Sequence, residues 1–404
     1  MTKTLRIDRL PVDAAGYLAN FQELLSLARE TLPQLSAEAA RKSLTATSSA
    51  LGLELVEHKG AAPIFALLPP AGRAPRLTLF ATWHAETVPV VPAAVEGGER
   101  LALATTAGAL SALVAAGVLE PGTVALVVAP GAAHGSLVLD PFLRQHRERI
   151  ASPVGFWIRV LPSAPRRRRI FLGGRGRVIV GLWGGDASPY LVRDQVVAAM
   201  ADAAYGPRPL DFDLIRKLAQ SRDVIDFLEE VIEDPQTATE GDAEARLRSA
   251  LFEPHAQVIK PGASHPDRPI AWIIFDTAEG MEGLDILERV RAAAPGSRVE
   301  MAESIPWDRI GIHHPAIQTL VPLTKSRSAG PDIWPMAPWA TPSGIFTRAL
   351  GTPLAEWGIP LPSGNAVRFP KPEAFEAMVR EASELVLRAV GALEEDDAPE
   401  APAS

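Results

Sequence analysis

Two short runs in this chain are apolar almost without a break, Leu77-Thr-Leu-Phe-Ala-Thr and Thr123-Val-Ala-Leu-Val-Val-Ala. A strand with one wet face alternates polar with apolar, so runs like these read as strands buried on both faces. Segments with helical spacing follow each of them, Thr106 to Val118 and Ser136 to Arg149, and Val154 to Leu161 is a further strand. Strand-helix alternation of this length predicts an α/β fold, a mostly parallel sheet flanked by helices.

At 404 residues the chain is too long for one ordinary core, and two domains are expected. Apolar residues at 47% and charged ones at 22% describe a globular protein, and a net charge of −8 gives no footprint for nucleic acid or an anionic membrane. With no cysteine, disulfides, thiol nucleophiles and thiolate metal sites are excluded. The amino terminus lacks the apolar core of a signal peptide, so a cytoplasmic location is expected.

Asp13 to Glu30 and Ser36 to Leu51 read as entry helices, followed by strands at Leu53-Glu-Leu-Val and Pro63 to Leu68. The pattern shifts at Pro165-Arg-Arg-Arg-Arg169, a run expected to be a solvated strand lead-in and too short to argue for nucleic acid. Ile170 to Trp183 then reads as one long strand interrupted by Gly173-Gly-Arg-Gly176, whose glycines do not open a helix and so make no phosphate loop. Helices are expected at Leu191 to Tyr205, Phe212 to Ile232, Ala243 to Phe252 and Leu284 to Ala294, with strands at Ile270 to Phe275 and Arg298 to Glu303. The expected division is an α/β domain over 1–165 and 311–395, with an inserted α+β lid over 166–310. Pro372 to Leu393 closes the chain as an amphipathic helix, and the acidic, Ala/Pro-rich end, 396–404, reads as disordered.

The ordered landmarks resemble the zinc aminoacylase/carboxypeptidase family, which includes acetylornithine deacetylase, succinyl-diaminopimelate desuccinylase and carnosine-type dipeptidases. They are an apolar strand running into His84-Ala-Glu86-Thr-Val-Pro89, the glycine-containing helix start Ala107-Gly-Ala-Leu-Ser-Ala-Leu, the lid entry Phe171-Leu-Gly-Gly-Arg-Gly-Arg-Val, and the late loop Trp334-Pro-Met-Ala-Pro-Trp-Ala-Thr-Pro-Ser-Gly-Ile-Phe. The resemblance covers nearly the whole chain and implies a dinuclear-zinc-peptidase-like fold. It also implies two metal ions held by two histidines and three carboxylates, with a glutamate as general base.

Carried over by position, that machinery is largely missing. His84 matches the first histidine ligand, and Glu86 stands where an aspartate orients it. The bridging aspartate falls at Thr105. The adjacent glutamates, general base and ligand, fall at Ala132 and Ala133. The next acidic ligand belongs at the end of the Val154–Leu161 strand, where Arg159-Val-Leu-Pro162 has none, and the last histidine falls at Val367-Arg368. The lid histidine that reaches a partner subunit's site falls at Asp186. A hard dication needs several anionic oxygens or imidazoles around it, so the expectation is a vestigial cleft with no catalytic and no metal-binding residue. No cofactor is expected, and zinc enters only if a relocated site exists.

Substitutes for the lost site are weak. His134 and the adjacent His313-His314 read as surface or helix-start residues, since neighbours on a helix diverge by about 100°. Ser111, Ser136 and Ser343 lack a glycine elbow. Thr105, Thr106 and Ser136 near His84 leave room for a polar pocket. The expected role is a pseudoenzyme, a homodimer or a heterodimer with a related subunit built through the lid. The alternatives are a divergent amidohydrolase or peptidase acting on N-acyl amino acids or dipeptides, and a binding protein for an amino acid or small peptide.

Overall fold

The structure is a computed structural model that describes residues 7–27, 33–60, 63–83, 93–131, 138–161, 167–202, 207–231, 242–260, 269–277, 279–327, 332–360 and 370–391. Its frame is an eight-stranded sheet. In chain order the strands are β1 (Glu54–His58), β2 (Ile64–Leu68), β3 (Leu77–Thr82), β4 (Val124–Ala129), β5 (Val154–Leu161), β6 (Arg169–Phe171), β12 (Asp332–Trp334) and β14 (Leu354–Pro360). In space they run β1-β2-β4-β3-β5-β14-β6-β12. The middle is parallel, β4 to β3 to β5 to β14, while β1, β2 and the β14–β6 pair are antiparallel.

The apolar runs make this sheet because both their faces are covered. One face, with Leu79, Ala81, Phe156, Ile158 and Trp357, packs on Ala14–Ser26, Pro33–Leu51, Ala93–Ala115, Pro315–Lys325 and Pro372–Ala389. The opposite face, with Phe80, Val127 and Trp157, packs on Leu139–Gln145 and Ser343–Leu350. The closing helix buries Phe375, Met378, Val379, Ala382, Leu385 and Val386, the stripe that its 3.6-residue spacing predicts.

A second, mostly antiparallel sheet is built on β7 (Gly173–Trp183). It takes in β8 (His255–Ile259), β9 (Ala271–Thr277) and β10 (Arg298–Ile305) in the order β10-β7-β9-β8, and β11 (Asp308–Arg309) and β13 (Ala337–Ala340) also pair with β7. Helices Pro189–Ala201 and Gly283–Ala293 cover one of its faces through Val192, Val196, Ile286 and Val290.

Four readings of the sequence are corrected. The stretch from Ile170 to Trp183 is two strands in two sheets, divided at Leu172, whose amide donates to the Trp334 carbonyl while its carbonyl accepts from Ile310. The glycines there serve close packing: a Cβ on Gly173 would lie 2.0 Å from the Asp308 carbonyl oxygen. The described part of the arginine run, 167–169, is an internal clasp, with Arg167 on Asp332 at 2.7 Å, Arg168 on Glu381 at 2.8 Å and Arg169 over the Phe227 ring at 3.7 Å. Phe212 to Ile232 is two helices, Pro209–Ala219 and Arg222–Val231, broken at Gln220-Ser221. Finally, the helix expected from Thr106 begins at Ala93, thirteen residues earlier.

Candidate functional site

That early start changes what stands at the carboxyl end of β5. The added turns of the Ala93–Ala115 helix run across the strand so closely that a Cβ on Gly98 would sit 1.9 Å from the Val160 carbonyl oxygen. The next residue, Glu99, is 6% exposed and accepts from Arg159 Nη2 at 3.2 Å. Arg159 Nη1 donates to Glu356 Oε1 at 3.0 Å. The β5–β14 register sets Glu356 beside Trp157, two residues before Arg159. Period-two alternation therefore puts Trp157, Arg159 and Glu356 on one face of the sheet.

Two indoles complete the enclosure. The guanidinium carbon lies 4.4 Å from the Trp157 ring centroid and 4.5 Å from that of Trp339 on β13. Trp339 also turns its ring N–H toward Glu356 Oε2, at 3.4 Å. Arginine suits this enclosure where lysine would not. Its planar fork reaches two carboxylates at once and offers flat faces to the rings. Burial pushes the Glu356 carboxyl up from its ordinary range, against the pull of Arg159 and the hydrogen bond from Trp339.

The aromatic wall continues outward. Phe171 lies 5.2 Å from Trp339 and 5.7 Å from Trp334, and Phe227 lies 5.6 Å from Trp334. Beyond them Arg169 rests on Phe227. In the second sheet, Arg175 is fully buried and donates to the backbone carbonyls of Ala250 (2.7 Å), Asp276 (3.1 Å) and Glu253. Burial lowers it to about 10, so it stays charged at neutral pH.

Of the residues singled out from sequence, His84, Glu86, Ala132, Ala133, His134, Ser136 and Arg368 lie outside the described residues. Thr105 is fully buried in the middle of the Ala93–Ala115 helix, and its hydroxyl has no hydrogen-bond partner among the described residues. Thr106 is also buried and donates to the Ala102 carbonyl at 2.8 Å. Neither hydroxyl is presented at a helix entry, which is where the sequence reading put them. Asp186 is exposed in the turn after β7, next to Gly184 and Gly185 with positive φ. His314 caps the Pro315–Lys325 helix, its Nδ1 accepting from the Ala316 amide at 3.2 Å, and burial lowers its pKa. His313 is exposed. Ser343 shares a 2.6 Å hydroxyl contact with Thr341.

Two of the positions that the resemblance maps to metal ligands lie among the described residues, Thr105 and the end of β5. Thr105 is packed in mid-helix, and the end of β5 presents a guanidinium that bridges two carboxylates. Among the described residues no three His, Asp or Glu side chains gather as metal ligands would. Nor is any described helix long and apolar enough to cross a membrane.

An α/β sheet sandwiched by helices, joined to a second antiparallel sheet, defines the fold of the M20-family metallopeptidases, and this chain has that fold. It is similar over 94% of its length to an M20-family metallo-carboxypeptidase from Sulfolobus solfataricus, with a TM-score of 0.69 at 12% identity and 99% of that chain covered. Human carnosine dipeptidase 1 (TM-score 0.65, 11% identity, 95% and 98% covered) and a dipeptidase from Saccharomyces cerevisiae (0.66, 12%, 98% and 98%) are similar in the same way. No protein-family profile and no curated protein sequence matches the chain.

Proposed function

We propose that this chain is a non-catalytic relative of the dinuclear-zinc peptidases, working as a scaffold or partner subunit through a lid built on the second sheet. One observation carries the reading. Where the resemblance puts an acidic metal ligand, the chain has Arg159, buried and paired with Glu99 and Glu356. Both carboxylates at that position are already engaged by the guanidinium, which occupies the place a metal ion would need. Activity resides in the site rather than the scaffold, so a fold can outlast its chemistry. The surface also supports an associating role, for Leu191 and Leu284 stand exposed on neighbouring helices over the second sheet.

The test is elemental analysis of the purified protein together with hydrolysis assays on N-acyl amino acids and dipeptides. The expected result is well under one equivalent of zinc, cobalt or manganese and no turnover. Two tightly held equivalents would overturn the reading. Light scattering then checks association: a dimer is expected, dissociated by Leu191→Glu with Leu284→Glu.

The full-length likeness to carboxypeptidases and dipeptidases favours a second reading, a divergent hydrolase of C–N bonds with a relocated site. One metal equivalent with measurable turnover selects it, and its ligands are then to be sought among His84, Glu86 and His134.

A further inference from the structure

We infer that Glu99, Glu356, Trp157 and Trp339 form a binding cage for a planar cation, and that the Arg159 side chain is its tethered occupant. The four walls come from separate parts of the fold: the Ala93–Ala115 helix, β14, β5 and β13. Two carboxylates and two ring faces surround one guanidinium, at 3.2 and 3.0 Å to oxygen and 4.4 and 4.5 Å to ring centroids. Side chains from four elements converge on the head group, while the tether contributes only its attachment to β5. The chemistry recognised is that of a flat, delocalised monocation with N–H donors at its edge and an apolar face on either side.

The occupant also joins the two sheets. Trp339 sits on β13, which pairs with β7 of the second sheet, while Trp157 and Glu356 belong to the first. The filled cage thus fixes the second sheet's base against the carboxyl end of β5, and holds the start of the Ala93–Ala115 helix down on both. The inference stands on this geometry whether or not the chain hydrolyses anything, so the metal and turnover assays above and the following test fail independently.

The test empties the cage and offers it a free cation. In Arg159→Ala the melting temperature should fall by about 5–10 °C, as expected when a buried ion pair loses one partner. Millimolar guanidinium chloride should restore at least half of that fall while leaving the wild type unchanged. Urea, the neutral molecule of nearly the same shape, and sodium chloride at matched ionic strength should restore none of it. Hydrogen exchange should report the same event locally, with protection of 93–100 and 337–340 lost in the variant and regained with guanidinium.

If urea or sodium chloride rescues equally, or if guanidinium rescues nothing, the cage is ordinary packing and the inference is overturned. Should Arg159→Ala not fold, Arg159→Lys and Arg159→Met decide. A cage for a planar cation ranks wild type above Lys, and Lys above Met, whereas a merely space-filling role makes Met equal to wild type and sinks the proposal.

Discussion

Arg159 and Arg175 are both buried guanidiniums, one in each sheet, and they find their partners in opposite ways. Arg159 meets side chains: two carboxylates and two indoles brought from four elements. Arg175 meets only main chain, the carbonyls of Ala250, Glu253 and Asp276. Carboxylates can adjust by taking a proton or turning, but backbone carbonyls fixed in a strand and a helix end cannot. The first arginine therefore holds elements together through groups that can relax, and the second through backbone that cannot.

The sharpest way to break this contrast is to remove each arginine in turn. Arg175→Met removes a charged donor from three carbonyls, and a loss of about 3–5 kcal/mol in urea unfolding is expected. Arg159→Met should cost less at pH 7, about 2–4 kcal/mol, and its deficit should shrink toward pH 5. The sign follows from Glu356. Burial already holds that carboxyl above its ordinary value. Without Arg159 only the Trp339 hydrogen bond opposes the upward push, so the folded variant binds a proton that the unfolded chain does not and gains stability as pH falls. Equal costs for the two variants, or a deficit that grows on acidification, would dissolve the comparison.

Glu356→Gln tests the same point more gently. Arg159 keeps Glu99 and both rings, so a loss of about 1–2 kcal/mol is expected, with little change between pH 7 and 5. The second sheet should respond to acid in the other direction. His255, hydrogen-bonded to the Ser249 carbonyl at 2.9 Å, has its pKa lowered first by burial and then by Arg175. A base held below its unfolded value supports the fold fully above pH 6.5 and less as pH falls through the folded pKa. Exchange in His255–Ile259 and Ala271–Thr277 should accelerate on acidification, and His255→Gln should flatten that response. At the small end, Arg222 and Asp226 are 3.9 Å apart and largely exposed, so Arg222→Ala should stay within about 0.5 kcal/mol of wild type.

Much of the frame was legible from local pattern. Val154–Leu161 and Ala243–Phe252 stand where the sequence reading put them, because an apolar strand run and a helical stripe report their own neighbourhood. Strand β14 was not read. Leu354-Ala-Glu-Trp-Gly-Ile-Pro carries a glutamate, a glycine and a proline, and only pairing with β5 and β6 makes it a strand. The cage was missed for a related reason, since Glu99, Trp157, Arg159, Trp339 and Glu356 are joined by topology and not by spacing. In the sequence alone Arg159 registers only as an absent carboxylate. A signal did exist: one lone charge sits inside each of two otherwise apolar strand runs, and buried charges come paired. The arginine run misled because four adjacent cations look like a wet surface until Asp332, Asp223 and Glu381 are seen beside them.

The pairing of β14 with β5 also sets the order in which the molecule can be assembled. Ser152 and Thr352 exchange hydrogen bonds across 200 residues of chain, and the strand they precede enters the centre of the sheet rather than its edge. A chain growing from its amino terminus has completed β1 to β5 and the whole second-sheet segment before the strand that must lie between β5 and β6 exists. Until then β5 presents an open, apolar edge, the kind that invites pairing with another chain. Closure of so long a loop is slow. Refolding of the intact protein should accordingly end in a late step that orders Trp157 and Trp357 together, and a chain stopped before Leu354 should aggregate rather than fold.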